Sequence, residues 1–236
     1  MPTALPLTLV SESGEERISF EPRRLIIAGW TGRDKAAMEH HIAELEALGI
    51  PRPPTTPVFY RVSAARLTLA DTIQVTGEAS SGEAEYLLAW IKGRIWVGAG
   101  SDHTDREAER QGIALSKQLC DKPMAATLWP LDEVEAEWDA LQLRSVIPEN
   151  GQEQVYQEGT LAAMLPPYDL LARLDVLKDS VLGGESLGEG DVLFGGTLPA
   201  IGGVRPAESF AWSLVDPQTT RAIRGCYRVL PLPVAG

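Results

Sequence analysis

Apolar and polar residues alternate in short runs along most of this chain, and glycine or proline breaks the runs often. Period-two alternation marks half-buried strands. On that pattern Leu7–Val10, Arg17–Phe20 and Arg24–Gly29 form strands, with Gly14 in a turn. More strands are predicted at Val58–Val62, Thr72–Thr76, Gln142–Ile147, Gln154–Gln157, Val192–Phe194, Ala211–Val215 and Cys226–Leu230. The period turns helical from Asp34 to Leu48, where Met38, Ile42 and Leu45 make one stripe. Asp34 can cap that helix, and Gly49 stands where a terminating glycine belongs. A second helix is expected from Thr104 to Leu119, opened by the capping-box pair Thr104 and Glu107. A short helix is expected around Tyr168–Leu174. The four prolines of Pro51–Pro57 make an extended crossing. The fold class is α+β and β-rich, and 236 residues fit a single domain over 1–236.

Composition narrows the function classes. Hydrophobic residues at 44% and charged residues at 23% exclude a disordered chain, a coiled coil and a fibre. A net charge of −12 repels phosphate backbones, so neither nucleic acid nor an anionic membrane is an expected partner. The longest apolar run, Tyr86 to Ile91, is far below the ~20 residues of a membrane span. Cys120 and Cys226 read as reduced thiols, and the N-terminus has no basic leader. A cytoplasmic protein made without a targeting segment is expected.

The chemistry concentrates between Ser81 and Thr104. The stretch reads as two strands joined by a Gly93-Arg94 turn of type II′. In that register Lys92 faces Ile95, Trp90 faces Val97 and Glu85 faces Asp102. Glu83 and Glu85 are two apart and share a face. Three carboxylates would converge, and a divalent cation resolves their repulsion; oxygen ligands suit Mg²⁺, Mn²⁺ or Ca²⁺. The bland reading is a solvated acidic edge strand, and the hairpin register favours the metal. Asp102 also suits a helix start, Glu107 is structural, and His103 points to the opposite face as a supporting residue.

These residues resemble the fumarylacetoacetate hydrolase-like family, and within it the DUF2848 proteins. The family's Glu-x-Glu and D-x-T-x-R signatures stand here as Glu83-Ala-Glu85 and Asp102-His-Thr104-Asp-Arg106. A family lysine is matched by Lys117. Gln157-Glu-Gly159-Thr160 is similar to Q-D-G-x-T, and the stretch from Gly188 to Gly202 is similar to P-G-D-V-I-x-T-G-T-P-x-G-x-G. The resemblance covers roughly residues 25–230, in order. It departs in the short Glu85–Asp102 spacing, in Gly195-Gly196-Thr197 for Thr-Gly-Thr, and in the missing aromatic lead into the catalytic helix.

The resemblance implies a fumarylacetoacetase C-terminal-like mixed β-roll, a homodimer, and a lid helix within residues 31–50, with the metal-site core in 80–230. It implies Mg²⁺ or Mn²⁺ on Glu83, Glu85 and Asp102. His41 and Glu44 match the family's H-x-x-E pair: Glu44 would orient His41 as a general base for water. Their bland reading is surface pairing, and His40 competes for the role. Lys117 would stabilise an oxyanion or enolate, or is a solvated helix residue. Arg106 would hold a substrate carboxylate, or pair with the acidic cluster. Gln157, and Gly196 with Thr197 in a turn-rich loop, would bind substrate, or the loop is a plain connection. The implied function is metal-dependent C–C hydrolysis of a small oxo-acid. A decarboxylase, isomerase or lactone-type hydrolase at the same site is the alternative, and a non-catalytic metal- or ligand-binding dimer is the second.

Overall fold

Two sheets stack to form the core. A computed structural model describes residues 3–47 and 52–234. The larger sheet has eight strands in the spatial order Gly14–Phe20, Leu5–Ser11, Thr127–Pro130, Arg94–Ser101, Ala84–Ile91, Asp191–Thr197, Arg24–Gly29 and Val58–Val62. The smaller sheet has five, ordered Gln152–Thr160, Gln142–Glu149, Ser209–Val215, Ala222–Leu232 and Thr72–Thr76. Both are mixed: Leu5–Ser11 runs parallel to Thr127–Pro130, Arg24–Gly29 to Asp191–Thr197, and Thr72–Thr76 to Ala222–Leu232. This is the β-rich roll with few helices that the sequence leads one to expect.

The Ala84–Ile91 strand explains its own unbroken apolar run. Tyr86 and Leu88 face the second sheet, where they join Leu143, Tyr156, Phe210 and Tyr227. Leu87, Ala89 and Ile91 face the other way, onto Leu7, Leu25, Ile27 and Phe194 of their own sheet. That sheet therefore curls over a second core. A strand buried on both faces loses the alternation of a half-exposed one.

The hairpin turn sits one residue earlier than expected. Ile91 pairs with Arg94, so Lys92 and Gly93 form the loop, with φ 53° and 71°. Two positive φ values make the turn type I′, not II′. Glu189 supplies the reason: its carboxylate accepts the N–H groups of Lys92 at 3.0 Å and Gly93 at 3.3 Å. Trp90 consequently faces Ile95, and Glu85 faces Gly100 rather than Asp102. Shifting both loop residues together preserves which side chains share a face.

The expected Thr104–Leu119 helix is two helices, Arg106–Glu109 and Ile113–Leu119. Asp105 caps the first, its Oδ1 accepting from Glu107 and Ala108 at 3.0 and 2.9 Å. Thr104 lies instead in a short strand opposite Ser81, its hydroxyl donating to the Asp102 carbonyl at 3.0 Å. Asp34 does cap the Lys35–Ala47 helix, accepting from Ala36 and Ala37. Ile42 is buried there and Met38 half-buried. Gly49, and the side chain of Leu45, lie outside the described residues.

A buried ion pair ties the parallel Arg24–Gly29 and Asp191–Thr197 strands together. Arg24 Nε and Nη2 donate to Asp191 at 2.8 and 2.5 Å, and Nη2 also reaches the Ser186 carbonyl at 2.7 Å. Burial raises the Asp191 pKa, but Arg24, the Gly188 N–H and Arg23 outweigh it and hold it below the usual range. A depressed folded pKa gives stability that is present above the unfolded value of about 3.9 and is lost as pH falls through the folded one. Asp191→Asn is expected to cost about 2 kcal/mol at pH 7, because Arg24 keeps Glu185 and its carbonyl partners. Urea melts should show that difference shrinking below about pH 4.

Candidate metal centre

Glu83 and Glu85 continue the Leu87–Ala89–Ile91 row past the end of its apolar core. Asp102 follows the neighbouring strand, and its N–H donates to the Glu83 carbonyl at 2.9 Å. One carboxylate oxygen of each residue lies within 4.8 Å of the other two. Asp102 is fully buried, Glu85 is 2% exposed and Glu83 is half-buried. The structure brings the three expected ligands together although Glu83, not Glu85, stands directly across from Asp102.

Three cations surround them. Lys117 comes from the Ile113–Leu119 helix and donates to Asp102 Oδ2, with its Nζ 3.8 Å from Glu83 Oε2. Lys122 is wholly buried; its Nζ lies 3.2 Å from Asp102 Oδ1 and donates to the carbonyls of His103 and Cys120 at 2.5 and 3.1 Å. Arg106 Nη2 lies 3.0 Å from Glu83 Oε1, while Nε donates to Ser81 at 2.7 Å and Nη1 to Glu109 at 3.1 Å. Of the two readings of Arg106, these are the contacts of the ion-pairing one.

Sequence analysis missed Lys122. A lysine in Asp121-Lys-Pro reads as surface, and the one signal was its place just after a helix that already carries Lys117.

Burial lifts the Glu85 pKa well above the carboxylate range, and the Asp102 charge adds to the lift. Burial acts the same way on Asp102, but Lys117 and Lys122 overcome it and hold that pKa low. Burial would lower Lys117, yet Asp102, Glu83 and Glu85 together raise it. Lys122 stays below its ordinary value because burial prevails. Asp102 Oδ1 has Lys122 nearby but no hydrogen bond of adequate geometry. A dication would offset the mutual repulsion of the three carboxylates and relieve Glu85, and three hard oxygen donors suit Mg²⁺ or Mn²⁺. The donor set fits such an ion.

Neighbouring strands lock the carboxylates. The Asp191–Thr197 strand breaks its pairing between Phe194 and Thr197, which turns the Gly196 N–H onto Glu85 Oε2 at 2.9 Å. Gly196 has φ 107°, and a Cβ there would lie 1.9 Å from Thr31 Oγ1. At Gly195 a Cβ would strike the Tyr86 ring at 2.0 Å. The glycine pair that departs from Thr-Gly-Thr is therefore required by packing. Thr197 donates to the Ala84 carbonyl at 2.8 Å and accepts from Gln157 Nε2 at 2.6 Å. Gln157 also donates to the Leu198 carbonyl and accepts from Ala84 N–H and Ser145. Both of its donors and both acceptor sites are used, so Gln157 braces the two sheets beside the ligands.

His103 turns away from the carboxylates, as expected of a strand neighbour. Its ring nitrogens meet Tyr227 at 2.7 Å and Ser80 at 2.8 Å. Burial, with Lys122 and Arg106, holds its pKa down to about 3, so the ring is neutral.

Glu83 and Glu85 floor a cavity of about 570 Å³, and Asp102 is buried beside them, off its surface. Glu83, Glu85, Lys117, Gln157, Gly196 and Thr197 line it. Ala37 and Met38 of the Lys35–Ala47 helix form part of its wall. Residue 41 lies one turn further along that helix. The side chains of His41 and Glu44 lie outside the described residues.

A family model described as "Protein of unknown function (DUF2848)" matches residues 28–227. The chain belongs to the DUF2848 family. A comparison with curated proteins returns no match. Among solved structures, this DUF2848 chain is similar to Cg1458 with inhibitor, at 14% identity and a TM-score of 0.62, covering 93% of this chain and 81% of that one. It is also similar to 2-keto-3-deoxy-D-arabinonate dehydratase complexed with magnesium and 2,5-dioxopentanoate. That match has 14% identity and a TM-score of 0.59, covering 93% and 78%. A further structure of that dehydratase aligns at 16% identity and a TM-score of 0.62, again covering 93% and 78%. At these identities the likeness is one of fold: the DUF2848 chain has the fumarylacetoacetate hydrolase-like architecture.

Proposed function

We propose that this protein is a divalent-metal-dependent enzyme acting on a small oxo-acid. The observation that carries the reading is the convergence of Glu83, Glu85 and Asp102 beside Lys117, with Glu83, Glu85 and Lys117 opening onto one cavity. Mg²⁺ or Mn²⁺ on those carboxylates would supply Lewis acidity and a template for the adjacent oxo and carboxylate oxygens of the substrate. Lys117 would place its ammonium against negative charge developing on the substrate oxygen, inside a site where that interaction is poorly screened. Gly196 N–H and the Gln157–Thr197 brace would hold Glu85 and its strand still while this happens. Arg106 and Lys122 would keep Glu83 and Asp102 in place.

The finer reading is hydrolysis of a C–C bond. His41, oriented by Glu44, would take a proton from water as it attacks a carbonyl, and the bond would cleave toward an enolate opposite Lys117. A dehydratase, decarboxylase or isomerase is the second reading. The similar fold of a dehydratase complexed with magnesium favours it, since enolate stabilisation serves that chemistry without a water-activating base. His41→Ala separates the two. A hydrolase would lose about 10²–10⁴-fold in turnover while its metal affinity is unchanged. Full turnover in His41→Ala would leave only the reactions that need no base on that helix.

A further inference from the structure

Resting on that reading, the cavity walls point to the kind of oxo-acid it takes. Beyond the carboxylate floor the wall includes the large side chains of Trp30, Met38, Tyr60, Met164 and Leu198, with the Thr31 and Tyr156 hydroxyls among its polar groups. Among the described lining residues Lys117 is the one cation, and Asp102 and Glu83 already engage it. The other charged groups on the wall are Asp34 and Glu109, both acidic. Asp34 has its Oδ1 on a helix N-terminus, and Glu109 is paired with Arg106. Neither can neutralise an anion.

We infer that the substrate is a 2-oxo-acid with an uncharged, apolar tail, not a dicarboxylate. One carboxylate and its neighbouring oxo group would meet the floor. A second carboxylate would stand against aromatic and thioether side chains near two acids. A charge moved from water to such a wall without a partner is strongly disfavoured. An alkyl or phenyl tail gains by burial against the same side chains.

The test is calorimetric titration of the full chain with saturating Mg²⁺. The probes are oxalate, 2-oxohexanoate, 2-oxo-4-phenylbutanoate and 2-oxoglutarate. Oxalate reports on the floor alone. The inference expects oxalate to bind, and both apolar oxo-acids to bind at least about tenfold tighter than 2-oxoglutarate. Oxalate binding together with 2-oxoglutarate equal to or tighter than the apolar acids overturns the tail assignment and leaves the metal site standing. No binding of any probe, oxalate included, overturns the metal-site reading and the tail assignment with it.

Discussion

Glu85→Gln is expected to abolish metal-dependent stabilisation without weakening the metal-free protein. Both halves follow from the burial of Glu85 beside Asp102. Without an ion its ionised form is disfavoured by burial and by the neighbouring charge, which is why its pKa lies well above the carboxylate range. Glutamine keeps the shape and still accepts the Gly196 N–H, but carries no charge. The metal-free variant should therefore melt at or above the temperature of the parent. Its Mg²⁺ affinity should fall by at least about 100-fold, since losing a residue that merely supports a ligand already costs 10–100-fold. Melting curves in EDTA and across an Mg²⁺ series measure both halves. A Glu85→Gln protein that responds to Mg²⁺ as the parent does would remove Glu85 from the ligand set.

Lys117→Met is expected to separate binding from chemistry. Asp102 keeps Lys122 and Glu83 keeps Arg106, so each ligand retains a cationic neighbour. Removing a positive charge from the edge of a cation site cannot weaken attraction for a dication, so Mg²⁺ affinity should hold or rise. Turnover should fall by about 10²–10³-fold, the cost of losing one charge-stabilising donor. The readout need not await a known substrate. Exchange of the C3 hydrogens of a bound 2-oxo-acid for deuterium, followed by NMR, reports enolate formation directly. Parent-like exchange in Lys117→Met would show that the ammonium serves only to hold Asp102.

The acidic site was readable because it depends on the most regular rule available, that alternate strand residues share a face. That rule survived an error in the turn. Placing the loop at Lys92-Gly93 changed Asp102's partner from Glu85 to Glu83 but left all three carboxylates on one side. Glu189 decides the turn, and it lies 96 residues from Gly93, so no local pattern could reveal it. The start of the Arg106–Glu109 helix escaped for a related reason. Thr104 and Asp105 are both good caps, and tertiary pairing of Thr104 with Ser81 leaves the capping to Asp105. Lys122 and the saturated bonding of Gln157 were beyond reach, because burial of a lysine and the filling of an amide's hydrogen bonds are properties of the packed fold.

The central claim is that the three carboxylates form a metal site open to a chelating oxo-acid. Thermal melting of the parent protein in EDTA, in Mg²⁺, and in Mg²⁺ with oxalate tests it most directly. Oxalate at about 100 times its Kd adds about 2.7 kcal/mol, or roughly 5–10 °C for a chain of this size. The account predicts an Mg²⁺ shift and a further oxalate shift that vanishes in EDTA. Identical curves in all three conditions would contradict it, leaving Glu83, Glu85 and Asp102 as a buried ion-pair cluster that holds the sheet's end together.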